Sequence, residues 1–172
     1  DDGVSCCEVF GAVNLADPKL YSARLTGANW LSSSHSYYGM QRNESCYGQW
    51  FYTSEDPQSL VISGKWDFAV NDKAYLVSTN SSRVVSFGAS SDGTNQTFVG
   101  TTVLSVDNWY FIVVYIDVPN DEIGISVNNA AFETATHTGG IYNAAGDFNI
   151  GKRSTDIDAL DIDQMFWYSK IP

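Results

Sequence analysis

Short alternating segments, parted by turn residues, recur along almost the whole chain. This pattern constrains the fold more than any other feature of the sequence. The candidate strands are Tyr21–Leu25, Tyr47–Thr53, Ser59–Ser63, Lys73–Thr79, Arg83–Gly88, Gln96–Val99, Trp109–Asp117, Glu122–Asn128, Ala131–Thr136, Asp147–Ile150 and Leu160–Tyr168. Turn chemistry parts them at Asp92-Gly93, Pro119-Asn120-Asp121, Gly139-Gly140 and Gly146-Asp147. Asp17-Pro18 carries a helix cap and a first-position proline, but Tyr21, Ala23 and Leu25 then alternate, so one helical turn near residues 17–20 is the most expected. Without long helical segments between the strands a parallel sheet is excluded, and an all-β sandwich or barrel is predicted. Residues 1–20 fit the pattern least and read as an N-terminal arm or edge strand. Residues 21–172 read as one β-sandwich domain, with Leu31–Tyr38, rich in Ser, as a loop.

Two strands carry more detail. In Glu122–Asn128, Ile123, Ile125 and Val127 alternate with Glu122, Gly124, Ser126 and Asn128, the mark of a strand with one wet face. Trp109–Asp117 is apolar on both faces: Trp109, Phe111, Val113 and Tyr115 on one, Tyr110, Ile112, Val114 and Ile116 on the other. A sandwich core covers only one of these, so a loop, the N-terminal arm or another subunit is expected over the second.

The length of 172 residues suits a single core, and the 44% apolar and 14% aromatic content can fill it. A formal net charge of −11 argues against nucleic acid and anionic membrane surfaces as partners. The 15 Asp against 5 Glu place much of that charge in turns and loops. No apolar run is long enough to span a membrane. The chain begins at Asp1 with no signal peptide remaining and reads as a mature product or an excised domain. Cys6 and Cys7 are adjacent, so a bridge between them would be strained. A disulfide from one of them to Cys46 fits the extracellular-type composition better than three reduced thiols.

In the second half of the chain, Asn108-Trp109-Tyr110 through Tyr115-Ile116-Asp117, followed by Ile123–Asn129, resembles the Trp-Tyr strand and the next strand and turn of laminin-G-like domains of the concanavalin-A-like class. Phe148-Asn149-Ile150-Gly151 and Leu160–Lys170 are similar to the two closing strands, the latter through Ile162, Asp163, Met165, Trp167 and Lys170. Tyr47–Thr53 resembles an early strand through Trp50, and Leu25–Trp30 the family's opening. The order and spacing agree over roughly residues 45–170. The resemblance implies a two-sheet antiparallel jelly roll that binds carbohydrates or proteins, often with calcium, on cell surfaces, in secreted enzymes or on phage particles. It also implies that Trp30, Trp50, Trp109 and Trp167 are buried. Asn129 replaces the usual turn glycine, and Asn tolerates the left-handed geometry needed there. Phe166 replaces an exposed charged residue and adds an apolar group to an outward face.

Enzymatic chemistry finds no support. Glycosidases of this shape pair carboxylates along one strand, and none of the five Glu has an acidic neighbour two positions away. Asp161 and Asp163 alternate, but no Glu accompanies them. His35 and His137 show no metal-ligand spacing and read as surface loop residues. Phosphate loops and dinucleotide fingerprints are missing. Calcium is the one cofactor worth weighing. Asp156, Asp158 and Asp161 cluster before the last strand, although a solvated loop explains them more simply. For a sugar, the loop aromatics Tyr37, Tyr38, Trp66 and Tyr142 are the stacking candidates. Asn43, Asn80 and Asn95 are glycosylation sequons, no more frequent than chance gives.

Two functions follow. The first is a non-catalytic module binding glycans or other surfaces on a secreted or particle-surface protein. The second is a structural or assembly domain, such as a capsid decoration or fibre subunit. It would act through an apolar outer face assigned to Tyr110, Ile112, Val114, Ile116 and Phe166.

Overall fold

The fold is set by hairpins whose alternation leaves little choice of face. The computed structural model describes the backbone of residues 23–25, 31–33, 44–53, 56–67, 70–153, 156–157 and 160–168, and the side chains of those lying within 44–151. Among the described residues fourteen strands are formed: β1 Ala23–Leu25, β2 Leu31–Ser33, β3 Glu44–Thr53, β4 Val61–Asp67, β5 Asp72–Thr79, β6 Val85–Ala89, β7 Thr97–Val99, β8 Asn108–Asp117, β9 Glu122–Val127, β10 Glu133–Thr136, β11 Phe148–Ile150, β12 Lys152–Arg153, β13 Asp156–Ile157 and β14 Leu160–Tyr168. No helix occurs among the described residues, and the candidate turn at 17–20 lies outside them. One sheet (sheet A) runs β1-β14-β3-β8-β9-β10, the other (sheet B) β2-β11-β4-β5-β6-β7, with β12-β13 as a small ribbon. Every pairing is antiparallel. The chain therefore builds a two-sheet antiparallel β-sandwich, as the strand pattern predicts. Leu31–Ser33, expected in a loop, is instead an edge strand beside β11.

The hairpin β8–β9 fixes which face of β8 is inside. The turn after Asp117 pairs that residue with Glu122, so Ile116, Val114 and Ile112 fall opposite Ile123, Ile125 and Val127. The polar face of β9 is unambiguous in sequence, although Gly124 and Ser126 are buried rather than wet, and the register carries its polarity onto β8. Tyr110, Ile112, Val114 and Ile116 thus enter the core with Tyr47, Phe51, Tyr75, Phe87 and Phe148. The outer-face assignment of those four residues is reversed. Trp109, Phe111, Val113 and Tyr115 lie outside, beside Tyr52, Trp50, Gly48 and Cys46 of β3. Phe166 shares its row with Gly48 and Val113, not with Ile112, and its side chain lies outside the described residues.

Aromatic contacts tie the two sheets together. Tyr47 of β3 meets Tyr75 of β5 at 6.1 Å and Phe148 of β11 at 6.3 Å between ring centroids. Its hydroxyl bonds Ser63 Oγ across the interface at 3.0 Å. Burial pushes the Tyr47 phenol well above its ordinary range, with the Ser63 bond opposing. Gln49 faces the same interior with no exposure, and neither its Oε1 nor its Nε2 has a hydrogen-bond partner.

The outer face of sheet A is aromatic as well. Trp50 lies 5.1 Å from Phe111, and Tyr52 lies 5.5 Å from Trp109. Phe111 and Val113 are buried there, while Trp50 and Trp109 are half-buried rather than core residues. Cys46 is buried in β3; Cys6 and Cys7 lie outside the described residues. The β9–β10 turn holds both Asn128 and Asn129 at positive φ, 53° and 61°, the left-handed geometry expected of Asn129.

Candidate functional site

The outer face of sheet B carries a groove of about 520 Å³ across the ends of β5, β6 and β7. Its floor comes from strand alternation. Val77 and Thr79 point inward, so Ser78 faces out, directly opposite Ser86 of β6. Gly100 follows β7 in close approach to that row. A Cβ there would stand 2.3 Å from Val85 O and 2.9 Å from Ser86 Cα, so only glycine leaves the floor open.

One wall is Phe98. It pairs with Gly88, and a Cβ at Gly88 would meet Phe98 Cε1 at 2.2 Å. The missing side chain lets the ring lie across β6, where it remains 44% exposed and touches Trp66 at 5.9 Å. The other wall is the β5–β6 turn. Asn80 Oδ1 accepts the Ser82 and Val84 N–H groups at 2.8 and 3.1 Å, closing the turn on itself. Arg83, at φ 64°, donates to both carboxylate oxygens of Asp56 at 2.7 and 2.9 Å. The Arg83 guanidinium holds the Asp56 carboxyl below the usual range, and Asp56 in turn raises Arg83. Both charges are thereby engaged outside the groove.

The groove keeps its polar groups unspent. The Thr79 hydroxyl donates to Pro57 O and accepts Leu60 N–H, so it holds the loop and is not available. Ser78 is only 8% exposed, yet its hydroxyl makes no side-chain hydrogen bond among the described residues, nor does that of Ser86. Asn80 Nδ2 is free in the same sense. The groove thus presents the hydroxyls of Ser59, Ser78, Ser81 and Ser86, one amide donor and one aromatic ring, and among the described residues of its lining no side chain is charged.

Of the sequence-based candidates, Asn80 lines this groove, and the other described ones fall beside it or elsewhere. Tyr37 and Tyr38 lie outside the described residues. Trp66 is not a loop residue. It sits in β4, 5% exposed, in an outer cluster with Val61 and Leu76 behind Phe98. The cause is a bulge between Val61 and Ser63, which turns Ile62 and Ser63 both inward and flips the parity of Trp66. Tyr142 is half-buried, its ring packed over Gly93, and its N–H donates to Ser90 O. Of the calcium candidates, Asp156 lies in the ribbon, Asp161 in β14 opposite Tyr52, and Asp158 outside the described residues. The side chains of Asp156 and Asp161 also lie outside the described set. Among the described residues no three His, Cys, Asp or Glu converge on a metal-sized site. His137 is buried rather than a surface residue, its ring bonded to Thr97 Oγ1 at 3.2 Å and Gly140 O at 2.8 Å. His35 and Asn43 lie outside the described residues. Asn80 and Asn95 are exposed, but Asn95 Nδ2 donates to Asp92 Oδ2 at 2.7 Å.

No protein-family model matches the chain, and no curated protein matches its sequence. Solved structures do share its fold. The binding domain of botulinum neurotoxin DC in complex with SialylT superposes with a TM-score of 0.62 at 9% identity, covering 83% of this chain and 36% of that one. A heptameric SAP-like pentraxin from Limulus polyphemus gives 0.56 at 10% identity, covering 76% and 66%. A botulinum neurotoxin type C structure, of a toxin whose cell entry depends on interaction with two ganglioside molecules, gives 0.54 at 12%, covering 76% and 33%. The chain thus spans just under two thirds of the pentraxin and about a third of each toxin chain. At these identities the likeness is one of fold: a two-sheet, jelly-roll-like β-sandwich. It does not bear on the laminin-G family in particular.

Proposed function

We propose that this chain is a non-catalytic module that binds glycans, working on a secreted or particle-surface protein. The observation that carries the reading is the groove of sheet B, with its exposed Phe98 beside unspent hydroxyl and amide groups. A sugar presents hydroxyls that exchange hydrogen bonds with such groups and an apolar ring face that packs on an aromatic. Among the described residues the groove offers no carboxylate, imidazole or amine for acid–base work, so recognition without turnover fits it. The fold neighbours named as toxin binding domains support the same reading. The test is a broad glycan array probed with the full chain, followed by calorimetry on any hit. Binding without release of reducing ends is the expected result, and a blank array would overturn the reading.

A second reading, self-association, is favoured by the half-buried Trp50, Trp109 and Tyr115 on the outer face of sheet A. Light scattering that gives a concentration-independent monomer mass would remove it.

A further inference from the structure

The groove also discriminates among glycans, and this step rests on the glycan-binding reading above. We propose that it selects neutral saccharides, and holds them by hydrogen bonds and ring packing alone, without a bridging metal ion.

Three observations lead there. First, the lining contains no Lys, Arg or His among the described residues, although sialic acid, sulfate or phosphate groups are usually met by charge-assisted donors. Arg83, the nearest cation in sequence, spends its guanidinium on both oxygens of Asp56. With a chain net charge of −11, an anionic sugar entering the groove meets no compensating charge and a repulsive field. Second, the lining contains no Asp or Glu among the described residues, so these supply none of the hard carboxylate ligands through which a calcium ion would bridge sugar hydroxyls to protein. Third, the groups that remain suit hydroxyls. Ser78 and Ser86 stand opposite one another on neighbouring strands, and each hydroxyl can donate or accept. Asn80 is rigid because its Oδ1 is held by two backbone N–H groups, which leaves Nδ2 as a fixed donor. Ser78 is the sharpest of these: a residue only 8% exposed, on the outer row, whose hydroxyl makes no side-chain hydrogen bond among the described residues. A volume of about 520 Å³ falls within the range of roughly 300–1,000 Å³ typical of small-ligand sites.

Phe98 supplies the packing surface, and its position depends on Gly88. A side chain at residue 88 would push the ring off the strand without removing it. Gly88→Ala therefore separates the position of the ring from its presence.

The experiment is one array carrying neutral, sialylated and sulfated glycans, probed with the full chain in calcium buffer and in EDTA. Phe98→Ala, Ser86→Val and Gly88→Ala are tested alongside, with circular dichroism as the check on folding. Hits among neutral glycans that persist in EDTA are expected. Phe98→Ala should weaken them by about tenfold or more, and Ser86→Val and Gly88→Ala by several-fold. Should Phe98→Ala fail to fold, the two milder variants carry the test. Hits confined to sialylated or sulfated glycans, or lost in EDTA, would overturn the inference and leave glycan binding standing. Neutral hits that survive every folded groove variant would do the same, by moving the site elsewhere. No hit of any class would remove the glycan reading itself, and this inference with it.

Discussion

Gln49→Met should make the protein more stable. Gln49 sits in the middle of β3, between Ile112 of β8 and Met165 of β14 in the register. It has no exposure, and both ends of its amide lack a hydrogen-bond partner. On folding it loses its bonds to water and recovers none from the protein. Each such group costs ~1–3 kcal/mol in mutational series. Methionine has a similar unbranched shape and adapts to irregular space, so packing error should take back under ~1.5 kcal/mol. The net expectation is a gain of about 2 kcal/mol. For a domain of this size that raises the melting temperature by roughly 4–8 °C. In urea, with a slope of about 2 kcal/mol/M, the midpoint should move up by about 1 M at unchanged slope. Gln49→Glu, which would bury a charge at the same point, should be severely destabilising. A midpoint that falls in Gln49→Met, at unchanged slope, would refute the reasoning, because it would mean that the amide is satisfied inside the core.

Three further outcomes are expected. Tyr47→Phe should cost about 1 kcal/mol near neutral pH through loss of the Ser63 bond. The phenol is raised in the fold, so it supports stability below pH 10.0 and that support fades above it; the gap between wild type and Tyr47→Phe should narrow in alkaline denaturation curves. Asp92, held at about 2 by the Thr94 N–H and by Asn95, supports stability above its ordinary value of 3.8. That support should vanish as pH falls through about 2, and acid unfolding of Asp92→Asn should show a shallower limb in this window. Asn128→Ala should destabilise by roughly 2–3 kcal/mol in urea unfolding, since Asn128 Oδ1 accepts the Phe111 N–H at 2.9 Å and its φ is 53°. Asn129→Gly, at φ 61°, should be neutral or slightly stabilising in the same assay.

The sequence alone determined the class of fold and most of its strands. Alternation and turn residues are local properties, so β8, β9 and the turn at Asn128-Asn129 were legible from a few residues each. Even the inward face of β8 was within reach, because a tight turn after Asp117 transfers the polarity of β9 across the hairpin. Judged strand by strand, β8 is apolar on both sides and gives no answer, which is why its faces were exchanged.

The candidate site was less accessible. Trp66 looked like a loop aromatic, but a single bulge in β4 turned it outward and packed it behind Phe98. Phe98 passed unnoticed because its exposure depends on Gly88, ten residues away on a neighbouring strand. The pairing of a large aromatic with a strand glycine was the one signal in the chain, and it becomes readable only once the register is known. The groove itself belongs to three strands and a turn. Which hydroxyls are spent on the fold and which remain for a ligand is a matter of distances between residues far apart in sequence: Thr79 is consumed by Pro57 and Leu60, while Ser78 beside it is not. Local pattern decided what each strand is; only tertiary pairing decided what each face offers.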